Sequence, residues 1–105
     1  MTDRQLLAQF TLSGSRDAFQ QLVERHAGMV YSTCLRLLGD GPDAEAATKA
    51  VFVILSRKAK RIVTRTLAGW LHQVACEVSA RARRGRQAEP AGRQLVETSS
   101  FAAVD

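Results

Sequence analysis

Trp70, Gln73, Glu77, Arg81 and Arg84 fall within one arc when the stretch LAGWLHQVACEVSARARRGR is wound at 100° per residue. An aromatic ring, an amide, a carboxylate and two guanidinium groups on one face can stack on bases and hydrogen-bond to their edges. The same arc also fits a solvated helix face with one half-buried tryptophan. Just upstream, SRKAKRIVTRT carries Arg57, Lys58, Lys60, Arg61 and Arg65. A cationic track beside a stacking platform is what a single-strand site needs. Other chemistries find less support. His72 and Cys76 stand four apart and would make half of a metal site, but His26 and Cys34 are about two turns apart and do not converge with them. No nucleophile, base and orienting group are spaced as a catalytic set, so no enzyme activity and no cofactor is expected.

Charge is unevenly distributed. Residues 1–45 hold four arginines against six acids, whereas residues 46–88 hold ten lysines or arginines against Glu77 alone. The net +5 of the 105-residue chain therefore understates a local positive field that would attract a polyanion, with nucleic acid the default. The length suits one modest core. The Met-Thr-Asp-Arg start lacks an apolar signal core and no apolar run is long enough to span a bilayer, so the chain reads as cytoplasmic. Cys34 and Cys76, inside helical patterns, read as reduced and half-buried thiols.

The elements that position these residues read as all helical, a compact bundle of about four. Thr2 or Asp3 caps a first helix in which Leu6, Leu7 and Phe10 share a face, and Gly14 ends it. Ser15 caps a second helix of about 23 residues, with a stripe of Phe19, Leu22, Val23, His26, Val30, Cys34 and Leu37 up to Gly39. His26 within that stripe reads as a hydrogen-bonded core residue rather than a ligand. Pro42 or Asp43 opens a third helix with a core stripe of Ala44, Ala47, Val51, Ile54 and Leu55. Ala46, Ala50 and Val53 stand on its other side, flanked by Lys49 and Phe52, so this helix is apolar nearly all round. Either a second macromolecule covers part of it, or the other three helices surround it. The β-branched stretch after Ser56 gives way to a loop, and Leu67 opens the fourth helix, whose core face is Leu67, Leu71, Val74 and Val78 with Ala75 and Ala82 at the margin. Residues 1–87 form the domain, and 88–105, with Pro90 and Gly92, read as a linker or disordered tail.

In order and spacing, DAFQQLVERHAGMVYSTCLRLLGD, DAEAATKAVFVILSRKA and LAGWLHQVA with its Arg-rich end resemble region 2 of the extracytoplasmic-function (ECF) sigma factors. The resemblance implies a helical sigma-70 region 2 domain that binds core RNA polymerase at the β′ clamp helices and helps to open the −10 promoter element. It places Asp43, Glu45, Ala46, Lys49, Ala50, Phe52 and Val53 toward polymerase. Lys58, Lys60, Arg61, Arg65, Trp70, Gln73, Glu77, Arg81 and Arg84 then face the unpaired non-template strand of promoter DNA. An anti-sigma factor is a further partner it allows.

The chain departs from the family pattern at informative places. Where the family writes DAED followed by Gln and Glu, this chain has Ala46, Lys49 and Ala50; where it favours Arg-Asn, this chain has Cys76-Glu77. Two lost carboxylates and the added charge of Lys49 weaken docking on a surface that expects acids, and Glu77 accepts from cytosine N4 while repelling phosphate. No segment corresponds to the region 4 helix-turn-helix module, which leaves either an excised domain or a divergent sigma-like module. The departures at Ala46, Lys49, Ala50, Cys76 and Glu77 also fit a sigma-like interaction module that no longer opens promoters.

Overall fold

A computed structural model describes residues 1–62 and 66–86. Among them are four α-helices and one 3₁₀ turn, in the order α1 (Asp3–Ser13), α2 (Arg16–Leu38), α3 (Gly41–Lys58), the turn Ala59–Arg61, and α4 (Leu67–Arg86), with no strand. The all-helical bundle expected from the periodicity is the fold observed. The proposed tail 88–105 lies outside the described residues.

Local chemistry sets the helix ends. Thr2 and Gln5 form a reciprocal capping box: Thr2 Oγ1 accepts from the Gln5 N–H at 3.1 Å and Gln5 Oε1 accepts from the Thr2 N–H at 2.8 Å. Ser15 caps α2 by accepting from the Ala18 N–H. Gly14 and Gly39 close α1 and α2 with φ of 66° and 72°, a conformation that a side chain disfavours. Helix α3 begins at Gly41 rather than at Pro42 or Asp43, because the Asp40 carboxylate accepts from the Asp43 N–H at 2.9 Å and leaves Pro42 in the first turn, where its missing N–H costs nothing. It also runs on to Lys58 and into the 3₁₀ turn, so the connector is shorter than expected. Ahead of α4, Thr66 Oγ1 accepts from the Gly69 N–H, and a Cβ at Gly69 would lie 2.8 Å from that hydroxyl.

The longest helix, α2, packs against the other three, while α3 and α4 also pack on each other. Leu6, Leu22, Val30, Cys34, Val51, Leu55, Leu71 and Ala75 have no exposed surface. Phe10 packs against Phe19 in a tilted pair with ring centroids 4.8 Å apart, joining α1 to α2. His26 is hydrogen-bonded as expected but part-buried rather than in the core: its Nε2 lies 2.8 Å from Asp3 Oδ2, and Arg25 Nη1 reaches Asp3 Oδ1 at 3.2 Å. At the other end of the bundle Arg86 donates to Asp43 Oδ2 at 3.0 Å and to the Leu38 carbonyl at 3.1 Å. That double contact ties the end of α4 to the α2–α3 turn. Both cysteines are free, but Cys34 is fully buried rather than half-buried, whereas Cys76 is intermediate.

Two polar residues sit in the core against expectation. Thr33 is accommodated because its hydroxyl donates to the Met29 carbonyl of its own helix at 2.9 Å. Ser79 Oγ is buried without a hydrogen-bond partner among the described residues. Ser79→Ala is therefore expected to raise stability by about 1 kcal/mol, since it removes an unsatisfied hydroxyl and favours the helix. Urea unfolding monitored by circular dichroism checks this, and an unchanged or lower midpoint would show that the hydroxyl is satisfied in solution.

Candidate functional site

On α3, the core stripe of Ala44, Ala47, Val51, Ile54 and Leu55 is buried as the spacing predicts. The opposite side is only partly covered. Ala46 is exposed, Ala50 half-buried, and Val53 retains 49% of its surface. Phe52 behaves differently from its neighbours: it is 7% exposed and belongs to the core cluster. Between α3 and the first half of α2 runs an open groove of about 380 Å³. Phe19, Val23 and Ala27 form its α2 wall and Phe52 and Val53 its α3 wall, with Thr48, Lys49 and Ser56 completing the lining. The structure thus joins Lys49, Phe52 and Val53 in one surface and adds an α2 wall that was not assigned from sequence. The signal for that wall was the four-residue step Phe19, Val23, Ala27, which drifts to the edge of the α2 stripe.

The acidic residues at the head of α3 have partners. Asp43 pairs with Arg86, and Glu45 lies 3.5 Å from Lys49 one turn on. Neither belongs to the groove lining.

On α4, Leu67, Leu71, Val74 and Val78 are buried, and so are Ala75 and Gly85. The second face is also real: Gln73, Glu77 and Arg84 are exposed, and Trp70 and Arg81 are half-buried. Trp70 packs in part against the core, so only part of its ring surface faces outward. Gln73 Nε2 donates to Glu77 Oε1 at 3.5 Å, a long contact. Lys60 and Arg61 are exposed on the 3₁₀ turn, and Lys58, half-buried, ends α3. Arg65 lies outside the described residues. Arg83, Arg84 and Arg86 make the last turn of α4 cationic, which suits the negative end of its dipole.

Among the described residues no group of three histidine, cysteine or acidic side chains is placed to hold a metal ion. His72 is exposed, and His26 is engaged with Asp3. No described helix is long and apolar enough to cross a membrane.

The family model for sigma-70 region 2 matches residues 22–89, from within α2 through α4. The chain belongs to the sigma-70 region 2 family. A curated relative of this sigma domain is the ECF RNA polymerase sigma factor SigE of Mycolicibacterium smegmatis, 34% identical over 70 residues. Those residues cover 64% of this chain and 27% of the relative, so the chain spans about a quarter of that protein's length. The ECF class named there is the class that the three sequence motifs resemble. No solved structure matches. The match takes in both surfaces of the sigma domain, the α3 side of the groove and the α4 face, and leaves α1 outside it.

Proposed function

We propose that this sigma-70 region 2 domain is of the ECF type and acts in transcription initiation by binding, without catalysis of its own, in the cytoplasm. The groove between α2 and α3, with Val53 on its wall and Ala46 and Ala50 beside it, docks on the β′ clamp helices of core RNA polymerase. Lys58, Lys60, Arg61 and Arg65 hold backbone phosphates of the −10 region, and Trp70, Gln73, Glu77, Arg81 and Arg84 support the unpaired non-template strand. The domain spans residues 1–87, followed by a linker or tail. What carries this reading is the conjunction, in a chain of this family, of an open apolar groove with a cationic turn leading into a tryptophan-bearing helix.

Lys60→Ala combined with Arg61→Ala tests the nucleic-acid half. Removing two phosphate contacts is expected to weaken binding of labelled single-stranded DNA and to flatten the slope of log K against log salt by about 1.4. Fluorescence anisotropy across a salt series reads both, and an unchanged slope would take these two residues off the DNA face.

A second reading has its own support. Lys49 on the groove wall and Glu77 on the α4 face depart from the family pattern, which suits a sigma-like interaction module that no longer opens promoters. Polymerase binding that persists without any DNA binding would favour it.

A further inference from the structure

Along the α4 arc the side chains divide by what they can offer a base edge. Trp70, Arg81 and Arg84 carry donors only, Gln73 carries donors and an acceptor, and Glu77 is acceptor only. Glu77 is exposed and is the sole acid among residues 46–88, an acceptor set within an otherwise cationic stretch. Gln73 Nε2 donates to Glu77 Oε1 at 3.5 Å, a long contact from one turn away that leaves both carboxylate oxygens able to accept more. A carboxylate here works against the attraction of phosphate, so its use to a bound strand has to come from a base.

We infer that Glu77 selects an unpaired guanine. The inference rests on the proposed contact of α4 with the single strand and names the base which that contact favours. In a duplex the major-groove edge of cytosine offers its N4 donor, but an unpaired base also exposes its Watson–Crick edge. On that edge guanine sets two donors side by side, N1–H and N2–H, whereas cytosine offers N4–H, adenine N6–H and thymine N3–H. The two oxygens of a carboxylate accept the guanine pair as two parallel, charge-assisted hydrogen bonds. Each of the other three bases satisfies one oxygen and turns a ring nitrogen or carbonyl acceptor toward the other, which is disfavoured. Trp70 lies roughly 10 Å along the helix from Glu77, so a base stacked on its ring and the guanine read by Glu77 are different nucleotides of one strand.

The test is fluorescence anisotropy of the full chain at low salt with labelled oligothymidine strands that carry one central guanine, cytosine, adenine or hypoxanthine, or thymine throughout. Parent, Glu77→Gln and Glu77→Ala are compared, each checked for unchanged helical content; Glu77 is exposed, so its variants are expected to fold. The parent should bind the guanine strand about fivefold or more tighter than the all-thymine strand, and hypoxanthine, which keeps N1–H but lacks the N2 amino group, should lose most of that preference. Both variants should bring the ratio close to one while raising affinity for the all-thymine strand, a pair of opposite changes that a merely structural role would not produce. A parent indifferent to the base, a hypoxanthine strand held as tightly as the guanine one, a guanine preference that survives both variants, or a Glu77-dependent preference for cytosine would overturn the guanine match and leave the strand contact of α4 standing. No binding of any strand by the folded parent would overturn the strand contact and this inference with it.

Discussion

Val53→Asp is expected to weaken docking on the β′ clamp helices by at least about 100-fold while leaving the fold intact, an effect near 3 kcal/mol. Val53 is half exposed in the free domain and stands on the α3 wall of the groove, so a carboxylate there keeps its hydration until a partner arrives. On docking, that charge is drawn between apolar side chains, where an ion without a partner is costly. In the unbound domain the same change falls on a helix surface, where substitutions usually alter stability by less than about 0.5 kcal/mol. The contrast between binding and stability is what makes the variant informative. Titration calorimetry reads the first and thermal unfolding the second. Affinity within threefold of the parent would mean that the groove is not the contact.

Leu71→Ala is expected to have the largest effect on stability, a loss of about 3 kcal/mol. Leu71 has no exposed surface and lies on the face by which α4 joins the core. Truncating it removes buried methyl groups and leaves a cavity that neighbouring helices fill only in part. In a domain of this size, where each 1 kcal/mol shifts Tm by about 4–8 °C, the expected drop is roughly 12–24 °C. Calorimetric unfolding measures it, and a drop of only a few degrees would show that α4 contributes little to the core. The loss would also disturb the proposed strand-contacting face, because Trp70 and Glu77 share α4 with Leu71.

Helix boundaries were legible wherever one side chain or one glycine decides them. Ser15 and Gly39 delimit α2 in the sequence as they do in the fold, since capping needs only neighbours within a turn. The start of α3 shifted because the Asp40 carboxylate accepts from the Asp43 N–H, which puts Gly41 and Pro42 inside the first turn. Its end shifted because Leu55 and Ala59 are both buried, so packing carries the helix past the point where the basic, β-branched stretch suggests a loop. The faces of α4 were read nearly complete, including the arc from Trp70 to Arg84, because both follow from a single helical period. What depends on two elements at once was hidden. The pairing of Asp43 with Arg86 spans 43 residues, and the groove needs α2 and α3 side by side before Phe19 and Val23 can meet Phe52. Ser79 was illegible for a further reason: no pattern rule places an unpartnered hydroxyl in a core.

The helices α2, α3 and α4 share one core, so the groove and the α4 face travel together as parts of a single body. Under the proposed function, docking of the groove on polymerase would set the cationic turn and Trp70 at a fixed, high effective concentration relative to DNA on the same enzyme. Affinity of the free domain for single strands then need not be high for the strand to be held in the assembly. Under that proposal Glu77, and the part of Trp70 that the core claims, would be tolerable for the same reason: each would weaken an encounter that tethering makes intramolecular.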